Sequence, residues 1–156
     1  MAFSLWPSRK TRAEDRPTQT PVDAPQTSSR ETIDISQLDN SIQELLSIEG
    51  ATGAAVVDIS SGMALASGGN PGFDLNVAAA GNSNVVRAKL RTMKDINLRG
   101  EIEDIMITLE SQYHLINVLN TEETSGLFVY LVLDRNTANL ALARHKLNTV
   151  SKRVSV

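Results

Sequence analysis

Apolar residues recur every three or four positions in three segments of the chain, a spacing that predicts amphipathic helices. The first predicted helix lies within ISQLDNSIQELLSIEG, where Ser36 can cap the start and Gly50 stands just past the end. The second runs from Leu75 to about Ile96, with Asp74 as its cap. The third lies within NTANLALARHKLNTVSKRV. The apolar stripes of the first and third helices are Leu38, Ile42, Leu45 and Leu46, and Leu140, Ala143, Leu147 and Val150.

Five short runs between these helices have the character of β-strands. TGAAVVDI and GMALAS are joined by Ser60, Ser61 and Gly62, which predicts a hairpin whose glycine takes a positive φ. EIEDIMITLE, YHLINVLN and GLFVYLVLD follow the second helix, and the last of them is apolar on both faces, as expected of a covered central strand. The predicted order is αββαβββα. Three consecutive strands with short links must be antiparallel, which excludes a doubly wound nucleotide-binding fold.

The composition fits one globular domain with an aliphatic core. The chain has 156 residues, of which 41% are hydrophobic but only 4% aromatic. Its net charge of −3 argues against an extended nucleic-acid surface. The absence of cysteine excludes disulfides, thiolate metal sites and a cysteine nucleophile, and it is natural in a reducing cytoplasm. No apolar run approaches the roughly 20 residues that a membrane span needs.

Residues 1–34 differ from the rest of the chain and predict a disordered tail ahead of a folded domain at 35–156. The tail holds four of the five prolines, together with many serines and threonines, and lacks apolar periodicity. Two interpretations of its first residues stay open: a solvated leader, or a segment that enters an anionic membrane surface. The second would place this cytoplasmic protein peripherally at the inner face of the membrane. Its contact residues would be Phe3, Leu5, Trp6, Arg9 and Lys10.

Six glycines between Gly50 and Gly72 raise the question of a phosphate-binding loop. Such a loop needs GxxxxGK[ST], and no Gly-Lys pair occurs anywhere in the chain. The dinucleotide pattern GxGxxG is also absent, as is a parallel βαβ context. The glycines are therefore interpreted as turn residues, and no cofactor is expected.

The residues that could carry catalysis are few and scattered. His114 falls in a strand and His145 in the last helix, with no serine or carboxylate placed beside either by the sequence. Glu101, Glu103 and Asp104 could be paired carboxylates for acid–base work or Mg²⁺, but charges at the start of a strand are more often a solvated edge. No metal-ligand spacing is present. The sequence predicts a protein that is not an enzyme.

The second helix has two apolar faces, whereas a surface helix needs only one. The larger residues suit packing on the protein's own sheet. The smaller ones, nearly opposite, suit close approach of a second copy and predict a homodimer, unless other segments of the chain cover them. The first set is Leu75, Ala79, Val86, Leu90 and Met93, and the second is Val77, Gly81, Val85, Ala88 and Thr92.

Arg87, Arg91 and Lys94 form a basic edge between these two faces. No acidic residue occurs from Leu75 through Lys94, so no neighbour in the helix relieves these like charges. The helix macrodipole favours cations near a C-terminus and is a sufficient structural reason for them. The alternative is a docking site for an acidic partner.

The segments GATGAAVVDISSGMALASGG and LDRNTANLALARHKL resemble the roadblock/dynein light chain family. Its hairpin motif corresponds to Gly53–Ser67 and its last-helix start to Ala138–Arg144, and the resemblance covers roughly residues 35–154. It implies an α+β, roadblock/profilin-like sandwich: a five-stranded antiparallel sheet with three helices on its two faces. It also implies homodimers joined through the second helix and the third strand, which adds Met106 to the expected interface.

The same resemblance implies a function without catalysis. Members of the family bind Ras-like small GTPases as activating or scaffolding subunits, or serve as light chains of motor complexes. An activator of this type can stabilise the switch loops of its partner without supplying an arginine finger. The leading hypothesis is therefore a homodimeric adaptor or regulator of a small GTPase. The alternative is a ligand-sensing or structural interaction module of similar architecture, which a cavity for a ligand would favour.

Overall fold

The computed structural model describes residues 35–154, which form three helices and five strands in the predicted order. Within this range, no helix is both long and apolar enough to cross a membrane. The helices are α1 (Ile35–Leu46), α2 (Leu75–Asp95) and α3 (Leu140–Ser151). The strands are β1 (Ala51–Asp58), β2 (Ala64–Gly69), β3 (Asp104–Thr108), β4 (Gln112–Val118) and β5 (Leu127–Asp134).

The strands form one antiparallel sheet in the order β2-β1-β5-β4-β3. The strand predicted to be central, β5, lies between β1 and β4, while β2 and β3 are the edges. The β1–β2 hairpin contains an irregularity between Val56 and Val57, and Gly62 in its loop has a φ of 76°. The predicted five-stranded antiparallel sheet is confirmed.

Each face of the sheet carries its own hydrophobic core. Alternate residues of β5 point to opposite faces because the side-chain period of a strand is two. Leu127, Val129, Leu131 and Leu133 pack with α1 and α3, whereas Phe128, Tyr130 and Val132 pack with α2. This division explains why the strand is apolar on both faces.

Helix α2 begins and ends at defined local structures. Asp74 caps its start by accepting a hydrogen bond of 2.8 Å from the backbone N–H of Asn76. At its end, Asn97 takes a left-handed φ of 53°, which turns the chain back on the helix. The N–H groups of Asn97 and Leu98 then donate to the carbonyls of Lys94 (3.1 Å) and Met93 (2.8 Å), as in a Schellman motif.

Three sequence-based expectations differ from the structure. Helix α1 already includes Ile35, so Ser36 lies in its first turn and not at its cap. Strand β3 starts at Asp104, so Glu101 and Glu103 precede it. The helical spacing predicts that Leu90 packs on the sheet with the larger residues of α2, but it is 41% exposed. Met93, one turn further along α2, is buried, so the exposed Leu90 lies at the rim of the buried helix face and not beyond the end of its cover.

Candidate protein interaction site

The small residues of α2 form a solvent-exposed face, which we call the outer stripe: Val77, Gly81, Val85, Ala88 and Thr92. Val77 is 70% exposed and Val85 is 39% exposed. On the opposite side of the helix, Leu75, Ala79, Val86 and Met93 are buried against the sheet. The described residues of the chain therefore leave the outer stripe uncovered.

The described fold does not require a glycine at position 81 of this stripe. A Cβ atom at Gly81 would meet nothing within 4 Å among the described residues. Glycine in a helix interior costs roughly 1 kcal/mol relative to alanine, so its presence here destabilises the isolated chain. Close approach of another backbone is a physical reason for it, since glycine permits the shortest distance between two helices.

An open cavity of about 390 Å³ lies beside the N-terminal half of the outer stripe. It is lined by Val77 and Gly81 of α2 and by the rings of Phe73, His114 and Tyr130. The aromatic rings of Phe73 and of Tyr130 each have their centroids 5.6 Å from that of His114. This part of the sheet is therefore a partly apolar depression next to an exposed helix face, a shape suited to receiving a side chain.

His114 is held in this depression by hydrogen bonds at both ring nitrogens. Its Nε2 lies 3.1 Å from Oε1 of Gln112, whose Nε2 donates to the carbonyl of Pro71 at 3.1 Å. Because that arrangement presents the amide oxygen of Gln112, the imidazole Nε2–H is the donor. Nδ1 then accepts from the hydroxyl of Tyr130 at 2.9 Å. Burial lowers the pKa of His114 and raises the pKa of Tyr130 to about 12, so the neutral forms of both are favoured.

Sequence reasoning did not bring these two residues together, because they are 16 positions apart. The register makes them diagonal neighbours on adjacent strands: His114 pairs with Val132, and Ile116 pairs with Tyr130. A histidine and a tyrosine at such positions are a visible signal only once the pairing of β4 with β5 is known.

The lowered pKa of His114 predicts a loss of stability in mild acid. Below about pH 6.5 the unfolded chain protonates this histidine while the folded chain resists, so the unfolded state binds more protons. The contribution of His114 to the free energy of unfolding should therefore be constant between about pH 6.5 and the alkaline range, and the free energy should fall as the pH decreases below 6.5. Urea denaturation at pH 7.5 and 5.5 checks this in wild type and in His114→Gln, which does not titrate. If both proteins lose the same stability, His114 is not the responsible group.

The three cations of the predicted basic edge have different surroundings. Arg87 Nη1 donates to the carbonyls of Ile59 (2.9 Å) and Ser60 (2.5 Å), and its Nη2 donates to Oδ1 of Asn84. Arg87 therefore joins α2 to the β1–β2 hairpin, a structural role that the sequence did not indicate. Arg91 and Lys94 are exposed, and neither has an ion-pair partner among residues 35–154.

Met106 lies on edge strand β3, but its side chain points away from the outer stripe. It pairs with Leu115, which belongs to the core under α1 and α3, and directly paired residues share a face of the sheet. Met106 is exposed on that side. A second copy that pairs along β3 would contact the backbone of this strand from its edge, while α2 covers the other face.

The remaining candidates contribute little to this site. The tail residues Phe3, Leu5, Trp6, Arg9 and Lys10 lie outside the described residues, and their membrane contact stays a prediction. Of the three acids, Asp104 forms an ion pair with Arg144 at 2.5 Å. Residues 35–154 contain no group of three or more side chains placed to hold a metal ion.

Comparisons with known proteins identify the fold. The sequence matches no model of a protein family and no curated protein. Among solved structures, MglB of Myxococcus xanthus has a TM-score of 0.67 at 17% identity, over 78% of this chain and 86% of that one. A roadblock/LC7 domain of Streptomyces avermitilis has a TM-score of 0.64 at 16% identity, over 75% and 93%. The gliding protein MglB of Thermus thermophilus has a TM-score of 0.57 at 16% identity, over 77% and 92%. The described part of this chain therefore has the roadblock/LC7 fold.

Proposed function

We propose that this protein is a homodimeric adaptor that binds and regulates a Ras-like small GTPase without being an enzyme itself. The observation that carries the proposal is the outer stripe: α2 of a roadblock fold presents a second face of small and apolar residues that residues 35–154 leave exposed. The likeness to two MglB structures supports the roadblock fold on which the proposal is built. The GTPase partner is what the resemblance to the roadblock family implies.

A twofold symmetric dimer accounts for the outer stripe economically. In such a dimer each copy contributes the same surface. The outer stripe of one copy packs against the outer stripe of the other, and both are buried. Gly81, between Val77 and Val85, allows the helices to approach, and these two valines supply apolar area. Strand β3 is a sheet edge that no other described strand pairs with, and its backbone groups are available to a second copy.

The GTPase would meet the exposed end of the basic edge. Arg91 and Lys94 are the members whose charges are uncommitted within the described chain, because the Arg87 guanidinium is bonded to the hairpin. The protein has a net charge of −3, so this local excess of positive charge would orient an acidic partner toward α2. Arg87 would act indirectly, by holding the hairpin against the helix.

The test is capture of Ras-like GTPases from the native cell by the immobilised full chain, in the presence of GDP or of a non-hydrolysable GTP analogue. We expect nucleotide-dependent capture of one GTPase. The double variant Arg91→Glu, Lys94→Glu should then slow its association by about tenfold at low salt, since steering by charge acts mainly on the association rate. Stopped-flow or surface plasmon resonance measures that rate.

The matched control is Lys146→Glu, Lys152→Glu, which makes the same change in net charge on α3 and at its C-terminal cap, on the other face of the sheet. It should associate with the GTPase at nearly the wild-type rate. Equal slowing by both double variants would show that only net charge matters and would remove Arg91 and Lys94 from the interface. Failure to bind any GTPase in either nucleotide state would contradict the proposed function.

A further inference from the structure

A second concave surface lies on the face of the sheet opposite to α2. It is a groove of about 540 Å³, within the range of sites for small molecules. The C-terminal half of α3 forms one wall, and the end of β4 with the following loop forms the other. Because α1 and α3 cover this face and α2 covers the other, the groove lies apart from the outer stripe.

The groove is lined by two acids and two bases, Glu103, Asp104, Arg144 and Lys152. Arg144 donates from Nε (3.1 Å) and Nη2 (2.5 Å) to the same Asp104 oxygen, so these two charges balance. Lys152 also lines the groove, and no ion pair occupies it within residues 35–154. Glu103 borders the groove, but the N–H of Val118 donates to its carbonyl at 3.0 Å, and Val118 faces the core under α2. Continuation of the β3–β4 register pairs Glu103 with Val118, and paired residues share a face of the sheet, so the Glu103 side chain is directed toward the α2 face.

The other lining groups are hydrogen-bonding side chains above an apolar floor. Ser151 is only 5% exposed, and its hydroxyl has no hydrogen-bond partner in the described chain. A buried polar atom without a partner is uncommon in folded proteins, and a water or a bound molecule in the groove would complete its bonding. Asn117 and Asn148 each offer an amide that both donates and accepts, and Leu119 lies in the adjoining core.

From this arrangement we propose that the groove binds a small carboxylic acid that also carries an amide group. Lys152 would attract the carboxylate, and the Ser151 hydroxyl would gain an acceptor on slight rearrangement of its side chain. Asn117 and Asn148 would bond the amide, since an amide side chain matches the donor and acceptor of another amide. The Asp104 carboxylate beside Arg144 disfavours a doubly charged anion, which selects a carboxylate over a phosphate.

A small probe that carries both groups, together with an apolar side chain for the floor of the groove, is N-acetyl-leucine. Titration of the isotopically labelled full chain, followed by two-dimensional NMR, should show shifts confined to residues around Asn148 and Ser151 of α3, to Lys152 at its cap and to the end of β4. Lys152→Glu should weaken binding by at least about tenfold, the equivalent of one charge-assisted hydrogen bond. Lys146→Glu, a lysine on the same helix that does not line the groove, should bind like wild type.

Three outcomes would overturn this proposal. N-acetyl-leucine amide, which lacks the carboxylate, could bind as tightly as the acid. Inorganic phosphate could shift the same residues at lower concentration than the acid does. The acid could also leave the α3 resonances unchanged up to millimolar concentration in a protein whose circular dichroism is normal. None of these results depends on the dimer or on a GTPase, so they leave the proposed function untouched.

Discussion

Replacement of Val85 by aspartate is expected to convert the protein from a dimer to a monomer. Val85 lies in the middle of the outer stripe and is 39% exposed in the single chain, so a symmetric dimer would bury it twice. An unpaired carboxylate buried in an interface costs about 3–5 kcal/mol, which raises the dissociation constant by at least about a hundredfold. Multi-angle light scattering at micromolar concentration measures the change in mass directly.

Leu142→Asp provides the matched control for this experiment. Leu142 is 43% exposed on α3, so the same apolar-to-acidic exchange is made at similar exposure on the opposite face of the sheet. This variant should remain dimeric. The dimer assignment fails if the wild-type protein is itself a monomer, or if both variants dissociate equally.

Gly50→Ala is expected to destabilise the fold by about 3 kcal/mol, combining left-handed strain of about 1–2 kcal/mol with a steric clash of similar size. Gly50 has a φ of 84°, which an L-residue adopts only with strain. An added Cβ would also lie 2.6 Å from the Cβ and 2.7 Å from the Cα of Ala138, in the connection before α3. Neither segment can move freely there, because the Gly50 carbonyl accepts the N–H of Asp134 at 2.7 Å.

Gly72→Ala separates the two contributions. Gly72 has a similar φ of 89°, but an added Cβ would meet nothing within 4 Å among the described residues. Its loss should be near 1 kcal/mol, the backbone strain alone. Urea denaturation of the two variants and of wild type gives the comparison. Equal losses would show that the Gly50–Ala138 contact relaxes without cost.

The sequence predicted the architecture because periodicity reports burial. The two-sided apolar pattern of β5 indicated a central strand, and in the fold this strand contributes side chains to both cores. The two-faced pattern of α2 likewise predicted one buried and one exposed apolar side, and the predicted cap at Asp74 is confirmed. These features are local, so the spacing of residues along the chain is enough to reveal them.

The order of helices and strands indicated the resemblance to the roadblock family more clearly than individual residues did. Solved structures with identities of only 16–17% have this fold, and no family model matches the chain. Sheet and helix positions in such a domain require an aliphatic side chain of suitable size and accept many substitutions. The pattern of apolar positions can therefore be retained in proteins whose residue identities differ.

The sequence by itself determined which segments are helices and strands, which strand is central, and that α2 has two apolar faces. Only the tertiary structure determined the contacts of individual side chains whose partners are distant in the chain. Arg87 is committed to hairpin carbonyls 27 and 28 positions away, and Tyr130 meets His114 only through the β4–β5 register. The physical reason is that periodicity assigns a residue to a face, whereas its contacts depend on how elements of unequal length are placed against one another.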